Sequence, residues 1–166
     1  MSPTSARVLL VLLAVALLAV PPLRADPLPD FQVKAADGTV VASADIGGGA
    51  HRWLLVSLTR GSVGADRLLP VLAAEWNDAL AAGLVFVVEG TAAEARAYLE
   101  SKGGAALAET ARWFADADGS ARHALQRQGG LALFGVEDGA VDWKLDGVLE
   151  DPAALDPVIQ AWVERR

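Results

Sequence analysis

Three apolar runs constrain this chain most: Trp53–Thr59, Leu84–Val88 and Leu131–Val136, none of which contains a charged residue. Short uncharged runs of this kind are strands buried on both faces, because a half-exposed strand would alternate. Helical stripes separate them. From Asp66 to Ala82 the apolar positions Leu69, Leu72, Ala73, Trp76, Ala79 and Leu80 repeat at helical spacing, which predicts one helix stopped by Gly83. Pro70 lies inside it and is expected to kink its first turns. Thr91-Ala-Ala-Glu94 is a capping-box pattern that opens a helix to about Lys102, closed by Gly103-Gly104. Arg112–Ala115 reads as a short strand, and Asp118 as the cap of a short helix through Gln126, ended by Gly129-Gly130. Strands alternating with helices predict a mainly parallel sheet covered by helices on both faces.

Antiparallel elements flank this centre. Phe31–Lys34 and Thr39–Val41 alternate about the turn signal Asp37-Gly38, which predicts an N-terminal β-hairpin. Asp138-Gly139 predicts a second hairpin, with Ala140–Leu145 as its outer strand. Asp151-Pro152 marks the start of a last helix whose apolar face is Leu155, Ile159, Trp162 and Val163. Trp53, Trp76, Trp113 and Trp162 fall on core positions, and Trp143 is expected to pack under that last helix.

The N-terminus is a different kind of segment. Val8–Val20 is 13 uncharged residues, too short to cross roughly 30 Å of hydrocarbon as a helix. With Arg7 before it and Ala25 at a cleavage position, residues 1–25 read as a signal peptide. The alternative is an uncleaved N-terminal anchor. Residues 26–30 then form an extended leader and 31–166 one domain, in the periplasm or outside the cell. After cleavage no membrane contact is expected. Residues 26–166 hold 12 basic and 21 acidic residues, a formal charge of −9, which argues against a nucleic-acid partner. The chain has no cysteine. That excludes disulfides, thiolate metal sites and cysteine nucleophiles together.

On these residues the chain resembles exported thioredoxin-like proteins of the TlpA-like group, relatives of the peroxiredoxins. Pro29-Asp-Phe31 with Asp37-Gly38, the strand Trp53–Thr59, Pro70, Asp116-Ala-Asp118-Gly119 and Asp138-Gly139 match that pattern in order over roughly residues 28–164. The resemblance implies a thioredoxin-like α/β sandwich, with a central mixed, mainly parallel sheet, helices on both faces and an N-terminal hairpin. It also places the family's redox motif here as Gly61-Ser62-Val63-Gly64-Ala65, with Ser62 and Ala65 at the two cysteine positions. The family's cis-proline falls at about Ala132, where a trans bond is expected because a non-proline cis bond costs ~2.5–4 kcal/mol.

Thiol–disulfide exchange needs a thiolate, so the family's reaction does not follow from the resemblance. What the resemblance leaves is a degenerate groove of Arg60, Gly61, Ser62, Ala65, Leu131 and Ala132, suited to an exported protein or peptide partner. The other reading is a serine hydrolase built on Ser62, which would need a base. His51 lies about 20 Å away at strand spacing, and His123 reads as a surface residue of the short helix. Ser62 has a plainer role as a helix N-cap. No two histidines stand at ligand spacing, and Asp116, Asp118 and Ser120 lack the further carboxylates of a calcium loop. No metal and no cofactor is expected. The acidic stretch Asp142, Asp146, Glu150 and Asp151 reads as a solvated edge, and the oligomeric state is open.

Overall fold

In the computed structural model, which describes residues 25–147 and 152–164, the three apolar runs are adjacent strands at the centre of one sheet. The elements in chain order are β1 (Asp26–Pro27), β2 (Gln32–Lys34), β3 (Val40–Ala42), β4 (Arg52–Leu58), α1 (Val63–Ala74), α2 (Asp78–Gly83) and β5 (Leu84–Glu89). They continue as α3 (Ala92–Thr110), β6 (Arg112–Asp116), α4 (Ser120–Ala124), β7 (Leu131–Glu137), β8 (Ala140–Asp146), a 3-10 turn (Pro152–Leu155) and α5 (Asp156–Glu164). The strand order is β1-β8-β7-β4-β5-β6-β2-β3. Most of the signal peptide expected over residues 1–25, and Asp151 as a helix cap, lie outside the described residues.

The sheet is mixed, and the expectation of a mainly parallel one is corrected. Among the described residues only β4–β5 and β5–β6 run parallel. The pairs β4–β7, β7–β8, β1–β8, β2–β6 and β2–β3 are antiparallel. The connection from β6 to β7, residues 117–130, holds the short α4 and ends beside the carboxyl end of β4, where Thr59 N–H meets the Gly130 carbonyl, so β7 runs back against β4. Alternation of helix and strand does not reveal this, because strand direction depends on where the connection ends.

The two faces are covered unequally. One carries Leu68, Leu69 and Leu72 of α1, Leu80 of α2, Leu99 and Leu107 of α3, and Ile159, Trp162 and Val163 of α5. The other is closed only by α4, through Ala121 and Leu125, with Phe31, Val33 and Ile46 from the N-terminal segment. Trp53, Trp113 and Trp162 are buried. Trp143 is half-buried and meets Trp162 edge-on, ring centres 5.4 Å apart.

Three local boundaries differ from the sequence reading. The helix expected over Asp66–Ala82 is two helices. Asn77 breaks it by accepting from the Ala79 and Leu80 amides at 2.9 and 3.0 Å, a fresh N-cap for α2. Pro70 sits within α1 and does not end it. The helical conformation of α3 is interrupted at Gly104 (φ 78°, ψ 168°), but a further helical segment follows to Thr110. The carboxylate that starts α4 is Asp116 rather than Asp118. Buried Asp116 accepts from the amides of Ala121 (3.1 Å) and Arg122 (3.0 Å), while exposed Asp118 accepts only from Ser120 (3.0 Å).

This ordering predicts unequal losses. Asp116→Ala orphans two amides beneath a buried turn and is expected to cost about 2 kcal/mol in denaturant unfolding. Asp118→Ala is expected to cost about 0.5 kcal/mol. Equal losses would assign the cap to the wrong carboxylate.

Candidate functional site

The segment after β4 is built by backbone closure. Thr59 N–H donates to the Gly130 carbonyl at 2.7 Å, and Ser62 N–H to the Thr59 carbonyl at 3.2 Å. Gly61 makes the turn with φ 72°, a conformation suited to a residue without Cβ. Ser62 is then the N-cap of α1. Its hydroxyl accepts from the Ala65 amide at 3.4 Å and donates to the Gly130 carbonyl at 3.0 Å. Both functions of the hydroxyl are engaged in holding the turn, which is the plain N-cap reading.

The two loops touch at this point. A Cβ on Gly130 would stand 2.3 Å from Ser62 Cβ, so only glycine allows the approach. Leu131 packs against Gly64 in the same way, where a Cβ would lie 3.2 Å from its own. The residue that faces the start of α1 is therefore Gly130, two positions before Ala132. Ala132 lies inside β7 opposite Ser57, on a trans peptide, and contributes to the second core cluster. Ala65, Leu131 and Ala132 are 0%, 1% and 0% exposed. Of the six groove residues expected from sequence, these three present no side chain to a ligand, and Arg60, Gly61 and half-buried Ser62 remain at the surface. The reason is strand periodicity: position 132 points into the sheet core once β7 is in register with β4.

The open space lies beside this closed contact. A cleft of about 620 Å³ runs along the carboxyl ends of β4, β5 and β6, lined by Thr59, Arg60, Glu89, Glu94, Asp116 and Asp118 among others. Arg60 crosses it. Its Nε donates to the Glu89 carbonyl at 2.8 Å, and its Nη2 pairs with Glu94 at 3.1 Å. Gly90 has φ +123°, and a Cβ there would come within 2.7 Å of the Arg60 guanidinium. Glu94 in turn closes the capping box with Thr91, as the sequence predicts.

The cleft floor is a charged knot that the sequence reading missed. Arg127, its side chain 1% exposed, donates to Thr59 Oγ1 at 2.7 Å, to Glu89 Oε2 at 3.0 Å and to Ser57 Oγ at 3.3 Å. The Thr59 hydroxyl in turn donates to Glu89 Oε2 at 2.7 Å, and Arg122 adds a pair at 3.2 Å. Burial pushes the Glu89 carboxyl up, but the Thr59 hydroxyl and the charges of Arg122 and Arg127 outweigh it and hold the group below its ordinary value. A carboxylate held low is a weaker proton acceptor, and here Thr59 and Glu89 together hold the Arg127 guanidinium. Burial likewise lowers Arg127. No spacing pattern marks an arginine in a loop as buried, which is why Arg127 escaped notice.

Other charged residues stabilise the surroundings. Asp66 accepts from Tyr98 at 2.7 Å and Lys102 at 3.0 Å, tying α1 to α3. Asp146 accepts from the Gln128 and Gly129 amides at 2.8 and 3.1 Å and anchors the loop that carries Gly130. It is a structural carboxylate, not part of a solvated edge. His51 pairs with Asp138 where β4 begins, and His123 lines a second hollow with Arg122 and Gln126, so neither is a partner of Ser62. Among the described residues no group of three or more His, Asp or Glu is placed to hold a metal, and no helix is long and apolar enough to cross a membrane.

No protein-family model matches the sequence, and no curated protein matches it. Solved structures do. A thiol:disulfide interchange protein from Bacteroides sp. superposes with a TM-score of 0.62 at 14% identity, over 84% of this chain and 89% of that one. A secreted Mycobacterium tuberculosis disulfide oxidoreductase homologous to E. coli DsbE gives 0.59 at 15%, over 79% and 95%. A thioredoxin family thiol:disulfide interchange protein from Chlorobium tepidum gives 0.55 at 15%, over 86% and 99%. At such identities the likeness establishes the fold alone. It is thioredoxin-like, on a chain without cysteine.

Two predictions test the site. Gly130→Ala is expected to cost about 1–3 kcal/mol by overpacking, and Ser62→Gly in the same chain to recover most of that loss. Additive losses in denaturant unfolding would separate the two loops. For Glu89, a depressed carboxyl stabilises the fold above the unfolded value near pH 4.3, and that contribution is lost as pH falls through the lower folded value. Glu89→Gln is expected to lower stability at pH 7 and to flatten its decline below about pH 4.3. An unchanged slope would remove Glu89 from acid unfolding.

Proposed function

We propose that this chain is a redox-inactive thioredoxin-fold accessory module of the cell envelope, which binds an exported protein or peptide through the surface beside its lost redox centre. The observation that carries the reading is the state of position 62. The helix start that would present a thiolate holds a serine whose hydroxyl bridges Ala65 and Gly130, while the cleft along Arg60 stays open. Thiol exchange is closed for want of a cysteine. A polar cleft at the carboxyl ends of parallel strands is where α/β folds bind ligands. Export is supported by the signal peptide expected over residues 1–25 and by the likeness to a protein described as secreted.

Arg60 is the residue to test, since it is the exposed cation spanning the cleft. Immobilised protein is expected to capture a partner from the native exported fraction. Arg60→Glu is expected to lose it, and Glu100→Lys, an exposed change on α3, to keep it. Equal capture by wild type and Arg60→Glu would move the interface off the cleft. Capture of nothing by wild type would reject the binding module.

A further inference from the structure

We propose that the outer edge of β6 accepts an extended acidic segment of a partner protein as an added strand, at the end of β6 opposite the Arg60 cleft. The sheet is incomplete there. β2 meets β6 at one residue pair only, Lys34 with Ala115. Beyond Lys34 the chain turns back at once, with Ala35 N–H donating to Thr39 O at 2.8 Å and Gly38 N–H to Ala35 O at 2.9 Å. No strand among the described residues continues opposite Arg112, Trp113 and Phe114, although their other side pairs with β5 in full register. An unpaired strand edge is a template for a further strand.

A hollow of about 420 Å³ lies at this edge, and Ala35, Ala36, Ala108 and Ala111 line it together with Trp113 and Phe114. Small side chains leave room for a backbone to approach. Two cations border it, Arg96 and Arg112. Arg112 donates to a neutral carbonyl, that of Gly47, at 2.6 Å. Arg96 is exposed, and neither arginine is in an ion pair among the described residues. Glu109 also borders the hollow, which leaves two positive charges against one negative. On a chain whose formal charge is −7, a local excess of unpaired arginine selects acidic segments over basic ones. Edge amides and carbonyls supply affinity in strand addition, and the arginines supply the choice of sign.

The test is an NMR titration of the isotope-labelled full chain with the peptide Ac-Val-Glu-Val-Glu-Val-amide. Amide shifts are expected at Arg112–Ala115 and Ala35–Ala36, with slower hydrogen exchange at Trp113 or Phe114. Arg96→Glu is expected to weaken binding about fivefold or more, and Glu109→Lys to tighten it. Both residues are exposed, so the fold is preserved. A lysine-for-glutamate peptide is expected to bind more weakly, and N-methylation of the central valine to abolish binding. Equal affinity for both charge signs, no effect of Arg96→Glu, or no perturbation at millimolar peptide would each overturn the proposal. Shifts confined to the Arg60 cleft would overturn it too, and would leave the cleft reading standing.

Discussion

The fold rests on the complete burial of one strand. β4 has side chains buried on both faces from Trp53 to Leu58, so none of its backbone groups can turn to water. Each must find a partner within the sheet. β7 supplies seven paired positions on one side and β5 five on the other. That requirement fixes the order β7-β4-β5 and, with it, the meeting of the loop after β4 with the loop before β7. Thr59 and Gly130 are brought together because they are the next residues outward along the same ladder. The candidate site is thus a product of strand pairing, not of attraction between the two loops.

Polar residues around the site serve cohesion. Glu89 receives hydrogen bonds or charge from Thr59, at the end of β4, and from Arg122 and Arg127 in the connection before β7. A buried arginine is tolerable only where such partners exist, because an unpaired one would lose its hydration without compensation. The same logic holds for Asp116 and Asp146, which satisfy amides at turns that no side chain of the turn itself reaches. The cleft is therefore polar yet largely self-satisfied, with Arg60 and Glu94 as its adjustable surface pair.

The sequence made the central elements legible because burial on both faces leaves an uninterrupted apolar run, and the thioredoxin-like order followed from them. Capping chemistry was legible too: Thr91 and Glu94 form the box that their spacing announces. Strand direction was not, because it turns on where the connection over residues 117–130 ends, beside the carboxyl end of β4. The break at Asn77 was hidden, since Trp76 keeps the apolar spacing while turning to Phe86 (ring centres 6.2 Å apart) and to Thr110. In the site, Arg60, Gly61 and Ser62 lie at the start of α1, whereas Ala132 lies inside β7. No proline marks the loop before β7, and Gly130 shows its importance only through what its missing Cβ permits.

That missing atom has a consequence for what position 62 can hold. The contact between Ser62 and Gly130 is fitted to a small hydroxyl, with an oxygen-to-oxygen distance of 3.0 Å. Sulfur is larger and a weaker hydrogen-bond former, so a thiol at position 62 would enter a space already claimed by the Gly130 carbonyl. A second thiol at position 65 would arrive in a fully buried place. The backbone here, and not only the side chains, is fitted to oxygen.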